Sequence, residues 1–128
     1  MSSVDISTIT TADALLQAYT AGARDFSQIE LPTAKLNNSN LKGADLSYAD
    51  LSEADLSEAN LRGVDLSYAV LREADLSNTD LRGALLIGTD LQNARLIGAN
   101  LQDADYSPDE TRLPNTFDPV AAGMQPAV

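Results

Sequence analysis

Leucine, or a side chain of comparable bulk, returns at every fifth residue from Phe26 to Tyr106, and the phrase NLKGADLSYADLSEADLSEA at residues 40–59 is followed at once by NLRGVDLSYAVLREADLSNT. On an α-helix five residues turn through about 500°, about 140° beyond one full turn, so leucines at that interval spiral around the axis and form no apolar face. In a flat strand an odd interval sends successive leucines to opposite faces. They all point one way only if the chain bends once per unit. Four bends close a square, and residue n then lies over residue n−20, which is the longer period the sequence carries.

The centres of the units are Phe26, Leu31, Leu36, Leu41, Leu46, Leu51, Leu56, Leu61, Leu66, Leu71, Leu76, Leu81, Leu86, Leu91, Leu96, Leu101 and Tyr106. Two residues before almost every centre, from Ala34 to Ala104, stands a small residue, most often alanine. Centre and small residue share one face of a short extended segment, so both are expected to point inward and form a ladder of leucine and alanine layers. The size limit at the alanine position predicts a narrow bore, in which a large side chain costs about 1–3 kcal/mol by overpacking. The remaining three positions are mostly Asp, Asn, Ser, Glu, Arg or Gly and are expected to face water.

Tandem A(D/N)LXX units, as in ADLSY-ADLSE-ADLSE-ANLRG at residues 44–63, resemble the pentapeptide-repeat family, and the resemblance runs from Arg24 to Pro108. The flanks LLQAYTAGARDF and TRLPNTFDPVAAGM resemble those of small bacterial, especially cyanobacterial, members. The resemblance implies an all-β solenoid, a right-handed quadrilateral parallel β-helix of about four coils. The handedness comes from the resemblance and agrees with the crossover rule for parallel strands. Three segments follow: a leader and capping helix at 1–23, the β-helix at 24–108, and a C-terminal tail at 109–128, partly disordered or folded back. TTADALLQAYTAGAR reads as a short amphipathic helix with Thr10 or Thr11 as N-cap and Gly22 at its end, a lid over the open core with Phe26 filling the first layer.

Composition narrows the function. With 19 acidic and 8 basic residues the net charge is −11, which repels nucleic-acid backbones, so no direct nucleic-acid binding is expected. There is no cysteine and no histidine, hence no disulfide, no thiol chemistry and no imidazole base. The recurring serines, such as Ser47 and Ser57, are explained by turn chemistry, and no nucleophile stands beside a base. No catalytic residue, metal site or cofactor is assigned. No basic, apolar leader and no run of about 20 apolar residues is visible, so a cytoplasmic chain without membrane insertion is expected.

The outward columns carry what functional signal there is. Asp25, Asp45 and Asp65 stack like on like, an arrangement that raised carboxyl pKa values or counter-ions would relieve. Gly43, Gly63 and Gly83 share one corner, each after a basic residue, and predict type II turns there. Tyr48 and Tyr68 stack one coil apart outside the core, with Leu85 and Ile87 next to them where the pattern calls for polar residues. This flank is the candidate interaction surface. Two readings account for Leu85 and Ile87: the tail folds back and covers them with Phe117, or a partner or dimer contact does. The function expected is a non-catalytic protein-interaction or structural module with an unidentified protein partner, acting as a monomer or weak dimer. The alternative comes from the resemblance: some members mimic DNA and bind gyrase or topoisomerase IV, which would make a type II topoisomerase the partner.

Overall fold

The computed structural model describes residues 5–127; the first residues of the leader and the last residue of the tail lie outside them. The chain winds so that residues twenty apart meet in parallel bridges on four sides: Asp25↔Asp45↔Asp65, Glu30↔Asp50↔Val70, Lys35↔Asp55↔Asp75 and Asn40↔Asn60↔Asp80. Each side is too short for a ladder, so most rungs are single bridges. Only at the C-terminal end do the rungs lengthen into three parallel two-residue strands, β1 (Leu85–Leu86), β2 (Asp105–Tyr106) and β3 (Gln125–Pro126).

The geometry of one unit explains the period of five. The acidic residue before the centre turns its N–H and C=O toward the lap below: Asp45 N donates to Arg24 O (2.8 Å) and Phe26 N donates to Asp45 O (2.8 Å). The centre turns its N–H to the lap above, Leu46 N to Asp65 O at 2.8 Å. The centre's C=O then accepts from the residue three further on, as in Ala49 N to Leu46 O (3.2 Å), and that turn is the corner. Positive φ occurs at the third turn residue and not at the second, the type II pattern. It is present at Gly43 (+73°), Gly63 (+65°) and Gly83 (+67°). It is equally present at Tyr48 (+60°), Glu53 (+58°), Glu58 (+59°) and Asn78 (+58°), so glycine does not mark the turn. Left-handed backbone costs a non-glycine residue about 1–2 kcal/mol. The laps above and below hold it in place, since Tyr48 N donates up to Ser67 O (2.9 Å) and Gln28 N donates up to Ser47 O (2.8 Å).

The core is the axis of the tube. Every centre from Phe26 to Leu91 is buried, as are Leu101 and Tyr106, with Ala44, Ala49, Ala54, Ala59, Val64, Ala69, Ala74 and Ala84 filling the smaller layer. The column pattern loosens at the ends, where Ala34, Ser39 and Ala99 are half-buried, and two positions are telling. Leu96 is only half-buried, because no lap is paired above it. Ile29 occupies a small-residue position yet is 1 % exposed. It lies in the lowest lap, where no alanine layer sits beneath it and Ile9 and Leu15 close the base.

The lid is the helix α1 (Ala12–Thr20), capped by Thr11, whose Oγ1 accepts from Ala14 N at 3.1 Å. Leu15 is fully buried under it. Tyr19 fastens its far end: its hydroxyl donates to Lys42 O (2.6 Å), and Arg24 lies 3.7 Å above its ring. The tail closes the other end unevenly. Arg112 bridges Asp90 and accepts from Leu91 N at 2.7 Å, while β3 pairs with β2 at the twenty-residue register.

Candidate interaction surface

Most outward carboxylates are occupied by the backbone. Asp25 Oδ1 accepts from both the N–H (3.1 Å) and the hydroxyl (2.7 Å) of Ser27. Asp45 with Ser47, Asp50 with Ser52 and Asp55 with Ser57 repeat the clamp. At Asp25 the clamp overturns the raised value that stacking alone suggests. The Asp25 carboxyl lies below its ordinary value of 3.8 rather than above it, chiefly because the Ser27 hydroxyl and then the Ser27 N–H donate to it. Asp80 is lowered as well, first by Arg82, which grips it at 2.9 and 2.7 Å. A depressed carboxyl contributes stability that is complete above its unfolded value and is lost as pH falls through the folded one. The thermal midpoint is therefore expected to be flat from neutrality down to about pH 5 and to fall below about pH 4. Ser27→Ala should make that fall shallower, because the folded Asp25 carboxyl then lies closer to its unfolded value. Asp25 is exposed and Asp80 partly so, so each contributes little. A midpoint that rises on acidification would contradict the clamp.

Tyr48 and Tyr68 stand on the corner after the first side, their rings stacked with centroids 5.3 Å apart and 17° between planes. They are 61 % and 41 % exposed. Tyr68 leans on toward the next lap, where Gly88 lies: a Cβ at Gly88 would come within 2.4 Å of the ring. The Tyr68 hydroxyl donates to Glu110 Oε2 at 2.9 Å, and this bond, with the Glu110 charge, raises its pKa above the ordinary 10.0. Leu85 is 37 % exposed, and Ile87 is half-buried.

The tail reaches this corner, but not with Phe117. A tight turn after Tyr106, Thr111 N to Ser107 O at 2.9 Å, brings Thr111 over the first side, where its hydroxyl donates to Leu86 O and accepts from Gly88 N. Phe117 comes a quarter-lap later and faces Leu96 and Ile97 across an open space. The sequence signal for this arrangement is Gly88 itself, a glycine in the column that otherwise carries the tyrosines.

The arginines on the outside are partly neutralised. Arg82 is held by Asp80, and Arg72 pairs across laps with Asp90 at 2.8 Å. Arg95 approaches Asp75 only to 3.9 Å. Among the described residues no group of three or more acidic side chains is arranged to hold a metal ion, and no helix is long and apolar enough to cross a membrane. The depression on the outer face of α1, about 450 Å³, is lined by Asp13, Leu16, Gln17, Thr20 and Ala21 and pairs no nucleophile with a base.

Comparison with known proteins adds the following. A family model described as pentapeptide repeats matches in 8 copies over residues 25–63 and 65–103. A crystallised pentapeptide repeat protein from Nostoc PCC 7120 is 52 % identical, with 93 % of this chain and 98 % of that one aligned and a TM-score of 0.91. A pentapeptide repeat protein of the Arabidopsis thaliana thylakoid lumen is 32 % identical over 66 % of this chain and 63 % of its own, with a TM-score of 0.55. Another, from the cyanobacterium Cyanothece 51142, is 30 % identical over 71 % of this chain and 64 % of its own, with a TM-score of 0.47. No curated protein matches.

Proposed function

The chain belongs to the pentapeptide-repeat family, and from that premise we propose that it is a non-catalytic protein-interaction module whose docking face is the Tyr48–Tyr68 flank. The family's fold, a right-handed four-sided parallel β-helix, fills its own axis with side chains and leaves the outer columns to carry specificity. The observation that carries the reading is the exposed tyrosine pair, ordered before any partner arrives: the rings hold each other, and Glu110 holds the second hydroxyl. Large aromatic surface that is already immobilised loses little entropy on binding, which is why tyrosine recurs at interface hot spots. The acidic neighbour Glu110 is exposed and favours a partner surface with positive charge.

Affinity capture from native extract tests this. The wild-type chain is expected to retain a defined partner, and Tyr48→Ala/Tyr68→Ala to weaken that capture by about tenfold or more while keeping its circular dichroism spectrum. Undiminished capture by a folded double variant would remove the tyrosines from the interface.

The DNA-mimic reading has the acidic net charge in its favour. Against it, Asp25, Asp45, Asp50 and Asp55 each spend a carboxylate oxygen on a local turn rather than presenting it outward like a phosphate. Gyrase supercoiling separates the two. Unchanged supercoiling at tens of micromolar protein is expected, and dose-dependent inhibition would favour mimicry.

A further inference from the structure

The upper end of the tube is closed on the first side by β3 and on the second by Arg112, whose N–H donates to Thr89 O (3.0 Å) and whose C=O accepts from Leu91 N (2.7 Å). The third side has no such rung. Its last segment, Arg95–Gly98, is bonded downward through Arg95 N to Ala74 O (2.9 Å), Leu76 N to Arg95 O (2.8 Å) and Asn78 N to Ile97 O (2.9 Å). In every lower lap the upward groups of this side are the small residue's C=O, the centre's N–H and the N–H two residues on. Here those are Ala94 O, Leu96 N and Gly98 N, and among the described residues none has a partner. The side chains are equally unfinished: Leu96 is half-buried and Ile97 is 80 % exposed. A space of about 260 Å³ separates this edge from the Pro114–Phe117 turn of the tail.

We infer that this edge takes an extended segment of another protein, of the pattern small–acidic–apolar, as a parallel strand completing the third side. The register of the lower laps fixes the chemistry. The residue opposite Arg95 gives its N–H to Ala94 O and its C=O to Leu96 N; the C=O two residues later accepts from Gly98 N. The residue after the first lies over Leu96 and must be apolar, and the one before it faces the narrow bore and must be small. The residue opposite Arg95 lies about 4.8 Å above it. The Arg95 side chain is 72 % exposed and only 3.9 Å from Asp75, so an acidic residue there gives it a closer partner. Addition of a strand to an exposed sheet edge draws affinity from backbone bonds and specificity from such alternate side chains. A second copy of this chain does not supply the segment, because its small–acidic–apolar units on the lower laps are already bridged above and below. The site shares no residue with the tyrosine flank.

The probe is the capped peptide Ala-Asp-Leu-Ser-Glu, titrated into the full-length ¹⁵N-labelled protein. The Leu96 and Gly98 amide resonances are expected to shift with a dissociation constant of about 1 mM and their hydrogen exchange to slow at saturation, with Tyr48 and Tyr68 unmoved. Replacing the peptide's Asp by Lys should weaken binding, and Arg95→Glu should reverse that preference. N-methylation at the peptide's Asp should abolish binding, since it removes the donor to Ala94. The proposal is overturned by any of four results: unshifted Leu96 and Gly98 amides at about 10 mM peptide; slow exchange of both in the free protein, meaning the tail already supplies the rung; concentration-dependent shifts of both without peptide, meaning a second copy does; or indifference to the Arg95→Glu reversal. Tyr48→Ala/Tyr68→Ala should leave the titration unchanged, so the two surfaces stand or fall separately.

Discussion

Leu56→Ala is expected to lower the free energy of unfolding by about 2–5 kcal/mol. Leu56 is fully buried, and its unit is bridged to the laps on either side through Lys35↔Asp55↔Asp75. Such a site relaxes poorly. The rungs fix the backbone at both of its edges, so the removed atoms leave a void that neighbouring leucines cannot fill without breaking register. Leu96→Ala is the internal comparison, with the same residue type on the same side, half-buried and without a rung above. It should cost clearly less. Urea denaturation of both variants measures the contrast. Equal losses, or a loss at Leu56 below about 1 kcal/mol, would mean that the tube collapses around a missing side chain.

Ala54→Leu is expected to destabilise by about 1–3 kcal/mol through the opposite fault. Ala54 is 1 % exposed, and the small layer continues below and above it in Ala34 and Ala74. Enlargement there must push against a lap on each side. The lowest lap shows what relief would look like: at Ile29 a large residue fits because Ile6 and Ile9, not another alanine layer, lie next to it. A variant that unfolds at the wild-type urea midpoint would show that the bore is wider than its alanines imply. Circular dichroism of the folded baseline distinguishes strain within the tube from loss of the tube.

The two substitutions sample what the sequence makes legible. A period that fits neither helix nor strand leaves one way of burying Leu56, and hence one kind of fold. The period is silent on backbone dihedrals, because a turn that needs positive φ can be filled by Tyr48 or Glu58 when the laps above and below hold it. Gly43, Gly63 and Gly83 therefore marked one corner of a turn that occurs at all of them. Asp25 was misjudged for a related reason. Column order sets Asp45 over Asp25, but in both the hydroxyl two residues on, within the same unit, donates to the carboxylate. The ends were least legible. Arg112 enters the second side two residues off the twenty-residue register and Gln125 returns to it, so the intervening chain obeys no period. The tyrosine flank was visible as a column, yet its anchoring by Glu110 and its overlap with Gly88 depend on that irregular stretch.

The mismatch between a core that repeats every five residues and a surface that repeats every twenty gives this molecule two length quanta. Inserting or deleting a single unit returns every leucine to the axis, yet turns everything beyond it by ninety degrees relative to what came before. Tyr68 would then stand a quarter-turn away from Tyr48, on a wall of different charge. Growth by whole circuits preserves recognition, whereas growth by single units rewrites the exterior of an unaltered scaffold.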